Sequence, residues 1–383
     1  MRPMRILMIA TLLSAVLTAS GRAQQEVPAF HEYDPPSTLV VPERPVSRAR
    51  YPFVDVHNHQ FGMPDQDLGE LVAAMDQLNM AVMVNLSGRG FRRLELAEGK
   101  ISFDLREGEF LQRAVDNVRQ NAPRRFLVFT NIRLQGIDDP NWTERTLRQL
   151  GIDVENGAQG LKIYKNLGLT EKDSSGERIA VDDPRLAPIW RKCGELGIPV
   201  LIHTGEPASF WQPKDANNER LLELMEKPER YRDPEIFPSW EDLMAEQHRM
   251  FRNHPETVFI NAHLGWMGND LERLGSLLDE LPNVYTEIGA VLAELGRQPR
   301  FAREWLIQYQ DRVLFGKDSW RPEEYPVYFR VLESADDYFD YYRRRHAFWK
   351  MYGLDLPDEV LRKIYYRNAL AILPGLDTSL FPE

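Results

Sequence analysis

The sequence predicts a (β/α)8 TIM barrel, and three observations carry that reading. From Tyr51 onward, short apolar runs rich in branched residues recur eight times, separated by amphipathic stretches too long for hairpin turns. Histidine, lysine and acidic residues stand repeatedly at the ends of those runs, the position at which such barrels build their sites. The first run leads into His57-Asn58-His59-Gln60, where an open doubly wound sheet would need a Gly-rich turn.

In chain order, the strand candidates are residues 53–57, 81–86, 126–134, 160–165, 199–204, 258–264, 284–289 and 313–318. Helical spacing is read over 68–78, 109–120, 186–196, 240–253, 271–281 and 302–310. A long insertion, 206–239, follows the fifth strand and carries Phe210, Trp211, Tyr231 and Phe237, so it is expected to cover the active face. A helical extension follows the eighth strand, with a terminal helix over 359–372. The barrel is assigned to 51–374 and a tail to 375–383.

Ahead of the barrel, Arg2 and Arg5 precede an apolar run over 6–19 and small residues near Ala23. That order reads as a secretory signal peptide, 1–23, and an exported protein, periplasmic or secreted. Residues 24–50 hold Pro28, Pro35, Pro36, Pro42 and Pro45 with little periodicity and read as an extended arm. Whether that arm joins a homo-oligomer stays open. Removing the first 23 residues takes away three arginines and no acid, moving the formal charge from −11 to about −14. Such a surface repels nucleic acid and anionic lipid, so neither partner is expected, nor stable membrane association after cleavage. Cys193 is the sole cysteine, which excludes an intrachain disulfide. Neither a G-x-S-x-G elbow nor a P-loop is present.

Strand side chains alternate, so Asp55, His57 and His59 share one face while Val54 and Val56 take the other. The aliphatic face belongs against the helices, and the polar face should enter the barrel mouth. The same parity turns Lys162 with Tyr164, Asn261 with His263, and Tyr285 with Glu287 inward; Gly316 shares a face with Asp318. At His203 both faces are apolar and parity is ambiguous. His57, His59, His203, His263 and Asp318 together match the nitrogen and oxygen preference of Zn²⁺ or a similar divalent ion. Arg89, Arg133, Lys165, Trp266, Trp320 and Arg321 lie just past strand ends or nearby, where a carboxylate or aromatic substrate is held. Glu287 is a further candidate for substrate binding or for pairing Lys162. His31, His248, His254 and His346 fall away from the strand ends.

The Asp55-Val56-His57-Asn58-His59 start, the histidines ending strands five and six, and Phe315-Gly316-Lys317-Asp318-Ser319 resemble the amidohydrolase superfamily. His263-Leu264-Gly265 and Tyr365-Tyr366-Arg367-Asn368-Ala369 are similar to its amidohydrolase-2 branch, which includes hydrolases and aminocarboxymuconate-semialdehyde decarboxylase-like enzymes. The resemblance covers about 51–374. It implies that His57, His59, His203 and Asp318 ligate one metal, with His263 as acid or base beside it. In a two-metal variant Lys162 would be carboxylated to bridge the ions, and His203 with His263 would hold the second. The one-ion arrangement is preferred.

The leading expectation is a metal-dependent hydrolase of a small amide, ester or lactone, in which Asp318 takes the proton of the attacking water and His263 or the metal steadies the oxyanion. The alternatives are non-oxidative decarboxylation of an unsaturated or aromatic acid, and a barrel that binds without catalysing.

Overall fold

The computed structural model describes residues 29, 33, 35–95, 101–106, 109–343 and 349–382. The expected signal peptide, His31 and His346 lie outside the described residues. The chain divides into two units, Met1–Thr38 and Leu39–Glu383. In the first, the described residues hold no regular element; the Tyr33 amide donates to the Ala29 carbonyl at 3.1 Å.

The second unit is built on eight parallel strands in sequential order: β1 Phe53–Asn58, β2 Met80–Asn85, β3 Phe126–Asn131, β4 Gly160–Ile163, β5 Val200–Ile202, β6 Phe259–Asn261, β7 Val284–Glu287 and β8 Val313–Leu314. All eight fall where the apolar runs place them. Register shifts twice along the pair of β1 and β2 and is regular from β4 to β6, with Leu161 opposite Val200 and Val200 opposite Phe259. β1, β3, β4, β5 and β6 are buried at every position, as a parallel sheet covered on both faces requires. Each such Val, Leu or Phe contributes about 1.5–3 kcal/mol of transfer free energy.

The seam between β1 and β8 closes through two backbone bonds, Val56 amide to Phe315 carbonyl at 3.0 Å and Asp318 amide to His57 carbonyl at 2.6 Å. Asp55 sits at this seam. Its carboxylate accepts from the His57 and Lys317 amides, both at 3.1 Å, from Asn58 Nδ2 at 2.9 Å and from Tyr325 OH at 2.6 Å. Four donors occupy it, so Asp55 does not join the histidines at the mouth as strand parity predicts. It locks the barrel shut.

Helices α1 Leu68–Leu78, α2 Phe110–Asn121, α3 Trp142–Glu155, α4 Ala187–Leu196, α5 Leu221–Glu226, α6 Trp240–Asn253, α7 Leu271–Glu280, α8 Leu292–Arg297 and α9 Pro299–Gln308 occupy the connections. Their ends follow local chemistry. Asp67, Ser239 and Asp270 accept from amides of the first turn, and Asn79 and Gly197 close α1 and α4 in the left-handed region. The helix α3 escapes the periodicity because only Trp142, Leu150 and Asp153 are buried along it. A hairpin of Phe91–Glu95 and Ile101–Leu105 was likewise not anticipated.

After β8 come α10 Tyr325–Glu333, α11 Asp358–Arg362, a π turn Lys363–Arg367 and α12 Asn368–Ile372. The Ile364 carbonyl accepts from the Phe315 amide at 2.9 Å, and Asn368 Nδ2 donates to the Gln310 and Val313 carbonyls at 2.7 Å. Phe53, Phe315, Phe329 and Tyr365 pack ring against ring at 4.7–6.3 Å. The extension is therefore part of the barrel's core. The last residue of the expected arm holds to the extension: the Arg50 amide donates to Glu333 at 3.0 Å and its guanidinium to Asp358 at 2.7 Å.

Candidate metal centre and its cavity

The site is assembled at the carboxyl ends of the strands. His57 and His59 leave β1 on the same side, and Asp318 reaches them across the seam. His57 Nε2 lies 3.3 Å, and His59 Nε2 3.7 Å, from Asp318 Oδ1. Donor atoms of the three residues fall within 4.8 Å of one another, close enough to share an ion.

The opposite ring nitrogens are already committed. His57 Nδ1 bonds Glu287 Oε1 at 2.9 Å, His59 Nδ1 bonds Ser87 Oγ at 2.7 Å, and His263 Nδ1 donates to the Gly289 carbonyl at 2.8 Å. Ser87 is held in turn near Tyr164 OH, 3.2 Å away. Such outer partners fix ring orientation and leave Nε2 to the centre. His57, His263 and Glu287 also bring donor atoms within 4.8 Å. Glu287, however, is consumed by His57, by the His263 amide at 2.6 Å and by the Gly289 amide. It orients the imidazoles and has no surface for substrate, contrary to its expected role in substrate binding.

The buried nitrogens His57 Nε2, His203 Nε2, His263 Nε2 and Lys162 Nζ have no hydrogen-bond partner. Leaving one such group unpaired costs about 1–3 kcal/mol, and all four belong to residues at the carboxyl ends of the strands. Burial drives the His57 and His203 imidazoles far below their usual range and His59 to about 4, so all three are neutral at pH 7. Burial would raise the Asp318 carboxyl, but the His57, His263, His59 and Lys162 groups facing it hold it well below the usual carboxylate range. Burial brings the Lys162 amine down to about 7, against the pull of Asp318 and Glu287. Neutral imidazoles, an ionised carboxylate and orphaned nitrogens fit a divalent cation.

His203 stands outside the three-atom groups. Its ring meets the His263 ring edge-on at 4.5 Å, and His263 stacks on His57 at 4.7 Å. Asn261 turns outward, accepting from Gln247 on α6 at 3.0 Å, because Phe259 and Asn261 share the helix-facing side of β6. His263 still enters the mouth because the chain turns left-handed at His263, Leu264, Gly265 and Trp266, with φ between 52° and 60°. Ala290 and Asp318 share positive φ at the ends of β7 and β8. Non-glycine residues adopt that region at a cost and collect at functional sites.

A match to the amidohydrolase family model runs over residues 54–375, most of the chain. The chain belongs to the amidohydrolase family. Among curated proteins no relative matches. Solved structures similar to this amidohydrolase include an uncharacterised TIM-barrel protein from Bordetella bronchiseptica, 15% identical, with 84% of this chain and 97% of that one covered and a TM-score of 0.51. A dihydroxybenzoic acid decarboxylase from Polaromonas, with bound manganese and 2-nitroresorcinol, is 14% identical over 84% and 96%, at a TM-score of 0.50. A 2,6-dihydroxybenzoate decarboxylase from Rhizobium is 15% identical over 84% and 98%, at 0.47. These likenesses concern the fold.

Beside the amidohydrolase centre opens a cavity of about 490 Å³. His59, Lys162 and Tyr164 line its inner end; Arg133, Lys165 and Arg232 line its outer part. Phe61 stacks on His59 at 5.6 Å, and Phe91 meets Tyr164 at 4.7 Å, giving one aromatic wall. Of the expected substrate residues, Arg133 and Lys165 reach this cavity. Trp266 lies against the centre, 4.6 Å from the His263 ring, and faces a second cavity. Arg89 pairs with Asp153 at 3.1 Å behind β3. Trp320 packs on Tyr325 at 5.7 Å. Arg321 is exposed near Glu324 and lines none of these cavities, a departure from its expected role.

Two residues of the insertion were not anticipated. Glu206, fully buried, pairs with Lys165, with Arg230 at 3.1 Å and with Arg232 at 3.4 Å. Its one sequence signal is its place just past the fifth strand. Arg232 has none, since the insertion carries no periodicity that would orient it.

Proposed function

We propose that the protein is a metal-dependent hydrolase of a small amide, ester or lactone. The observation that carries the reading is the set of unpartnered, buried imidazole nitrogens facing an ionised Asp318 beside a cavity of substrate size. His57, His59 and Asp318 would hold one divalent ion, with His203 approaching from behind His263; the donor set suits zinc. A bound ion of this kind supplies a water acidic enough to attack at neutral pH and polarises the substrate oxygen.

This chain's residues do the remainder. Asp318 accepts the proton of the attacking water and passes it to the leaving nitrogen or oxygen. His263, its Nδ1 proton fixed on Gly289, keeps Nε2 toward the reacting group. Glu287 fixes the His57 tautomer. Lys162, an amine on the cavity's inner end, steadies negative charge as it develops. The aromatic wall excludes water from one side.

A second reading, decarboxylation of an unsaturated acid, is favoured by one observation: the aromatic wall and Lys162 together suit a conjugated carboxylate. Metal-loaded protein incubated with panels of esters, lactones and conjugated acids separates the two. Incorporation of ¹⁸O from water into the product supports hydrolysis; carbon dioxide release without such incorporation would sink it. Export after loss of residues 1–23 belongs to the same proposal and is checked by the N-terminal sequence of mature protein.

A further inference from the structure

The insertion after β5 contributes charge to the cavity wall. Glu206 is one carboxylate set among three cations, Lys165, Arg230 and Arg232, and these hold it charged although burial alone would push its carboxyl up. Arg230 pairs with Glu223 as well, so two carboxylates face three cations and the wall keeps one cation in excess in a chain whose net charge is −11. Lys165 and Arg232 turn toward the 490 Å³ cavity, and Arg133 faces them from the β3 side.

Arg232 is held in place without being used up. Its amide donates to the Phe210 carbonyl at 2.9 Å, Nη1 donates to the Glu229 carbonyl at 3.0 Å, and its guanidinium stacks 5.2 Å from the Phe237 ring. Nε is buried with no partner. Nη2 donates to Glu206 at 3.4 Å, so each Nη nitrogen spends one N–H on the chain and keeps a second with which an oriented guanidinium can bind a carboxylate. The acids in the same cavity are engaged: Asp104 lies 3.3 Å from Arg133, and Glu171 accepts from Asn166 and is pushed up by burial.

We propose that Arg232, Lys165 and Arg133 form a subsite for a second anionic group of the substrate, so that the protein takes a small planar dicarboxylate whose far carboxylate is gripped at the insertion. This names the substrate class for the hydrolase reading and rests on it for the identity of the reacting bond. The planar body lies along Phe61, Phe91 and Tyr164, and the reacting group lies over His57, His59 and Asp318.

The test is calorimetric binding to the full metal-loaded chain, with benzene-1,3-dicarboxylate and benzoate as inert probes. Wild type is expected to bind the dianion at least about tenfold more tightly, the scale of one charge-assisted pair. Arg232→Gln should bring the dianion to the benzoate level without changing benzoate affinity, and Arg232→Lys should recover part of the preference. Equal affinity for both probes in wild type, including failure to bind either, overturns the proposal, as does a preference that survives in Arg232→Gln. Because the probes have no hydrolysable bond, a preference seen in a protein that hydrolyses nothing would remove the hydrolase reading and keep the subsite.

Discussion

The floor and the rim of the barrel mouth handle polar groups in opposite ways. On the floor, His57, His203, His263 and Lys162 each leave a buried nitrogen without a partner, and the His263 ring touches those of His57 and His203. On the rim, Arg133, Lys165 and Arg232 are more accessible, and each leans on a carboxylate of the chain. A floor that costs free energy when empty is completed by what binds there; a rim whose cations each hold a carboxylate of the chain stands unaided. Changes on the floor should therefore abolish, and changes at the rim should redirect.

The largest effect should come from Asp318→Asn, which removes the carboxylate that faces both histidines. Turnover should fall about a thousandfold and bound metal, read by elemental analysis, should drop well below one per chain. Retention of both would separate the floor from the chemistry. Stripping metal with a chelator should also lower the melting temperature, since an ion at a thousand times its Kd stabilises by about 4 kcal/mol.

Next in size is Glu206→Gln, which leaves Lys165, Arg230 and Arg232 facing a neutral amide. Breaking a buried ionic cluster costs about 3 kcal/mol. The Glu206 carboxyl is held below its usual 4.5 in the folded protein. Its stabilisation is thus complete above that pH and is lost as pH falls through the folded value. Urea melts of wild type and variant should differ most near pH 7 and converge under acid; a gap that does not narrow would show that the cluster acts by packing.

Glu287→Gln touches the floor through the His57 ring and the His263 amide, without removing a group that faces Asp318, so metal affinity should weaken about ten- to a hundredfold while fold and secondary structure persist, as circular dichroism would record. The smallest effect belongs to Arg321→Ala. Its side chain is exposed, so stability should move by less than about 0.5 kcal/mol and KM should not change. A raised KM would put the rim further round the mouth than the cavity shows.

The floor was largely legible in the sequence because strand geometry repeats: period two delivers His57 and His59 to one face whatever surrounds them. The same rule failed at Asp55 and Asn261. At Asp55 the seam supplied four donors that capture the side chain. At the end of β6 Asn261 shares the helix-facing side with Phe259, and only the left-handed turn that follows brings His263 in. The rim was mostly hidden. Arg232 is placed by Glu206, Phe210 and Phe237, contacts within an irregular segment that no periodicity encodes. The eight strands followed from apolar runs, but α3, with few buried residues, left too faint a stripe to be read.

The bond from the Asp318 amide to the His57 carbonyl joins points far apart along the chain. A ribosome releases the two histidines long before it makes their carboxylate. Until Asp318 emerges, the nascent protein has neither a closed barrel nor a complete candidate metal centre, and both arrive together.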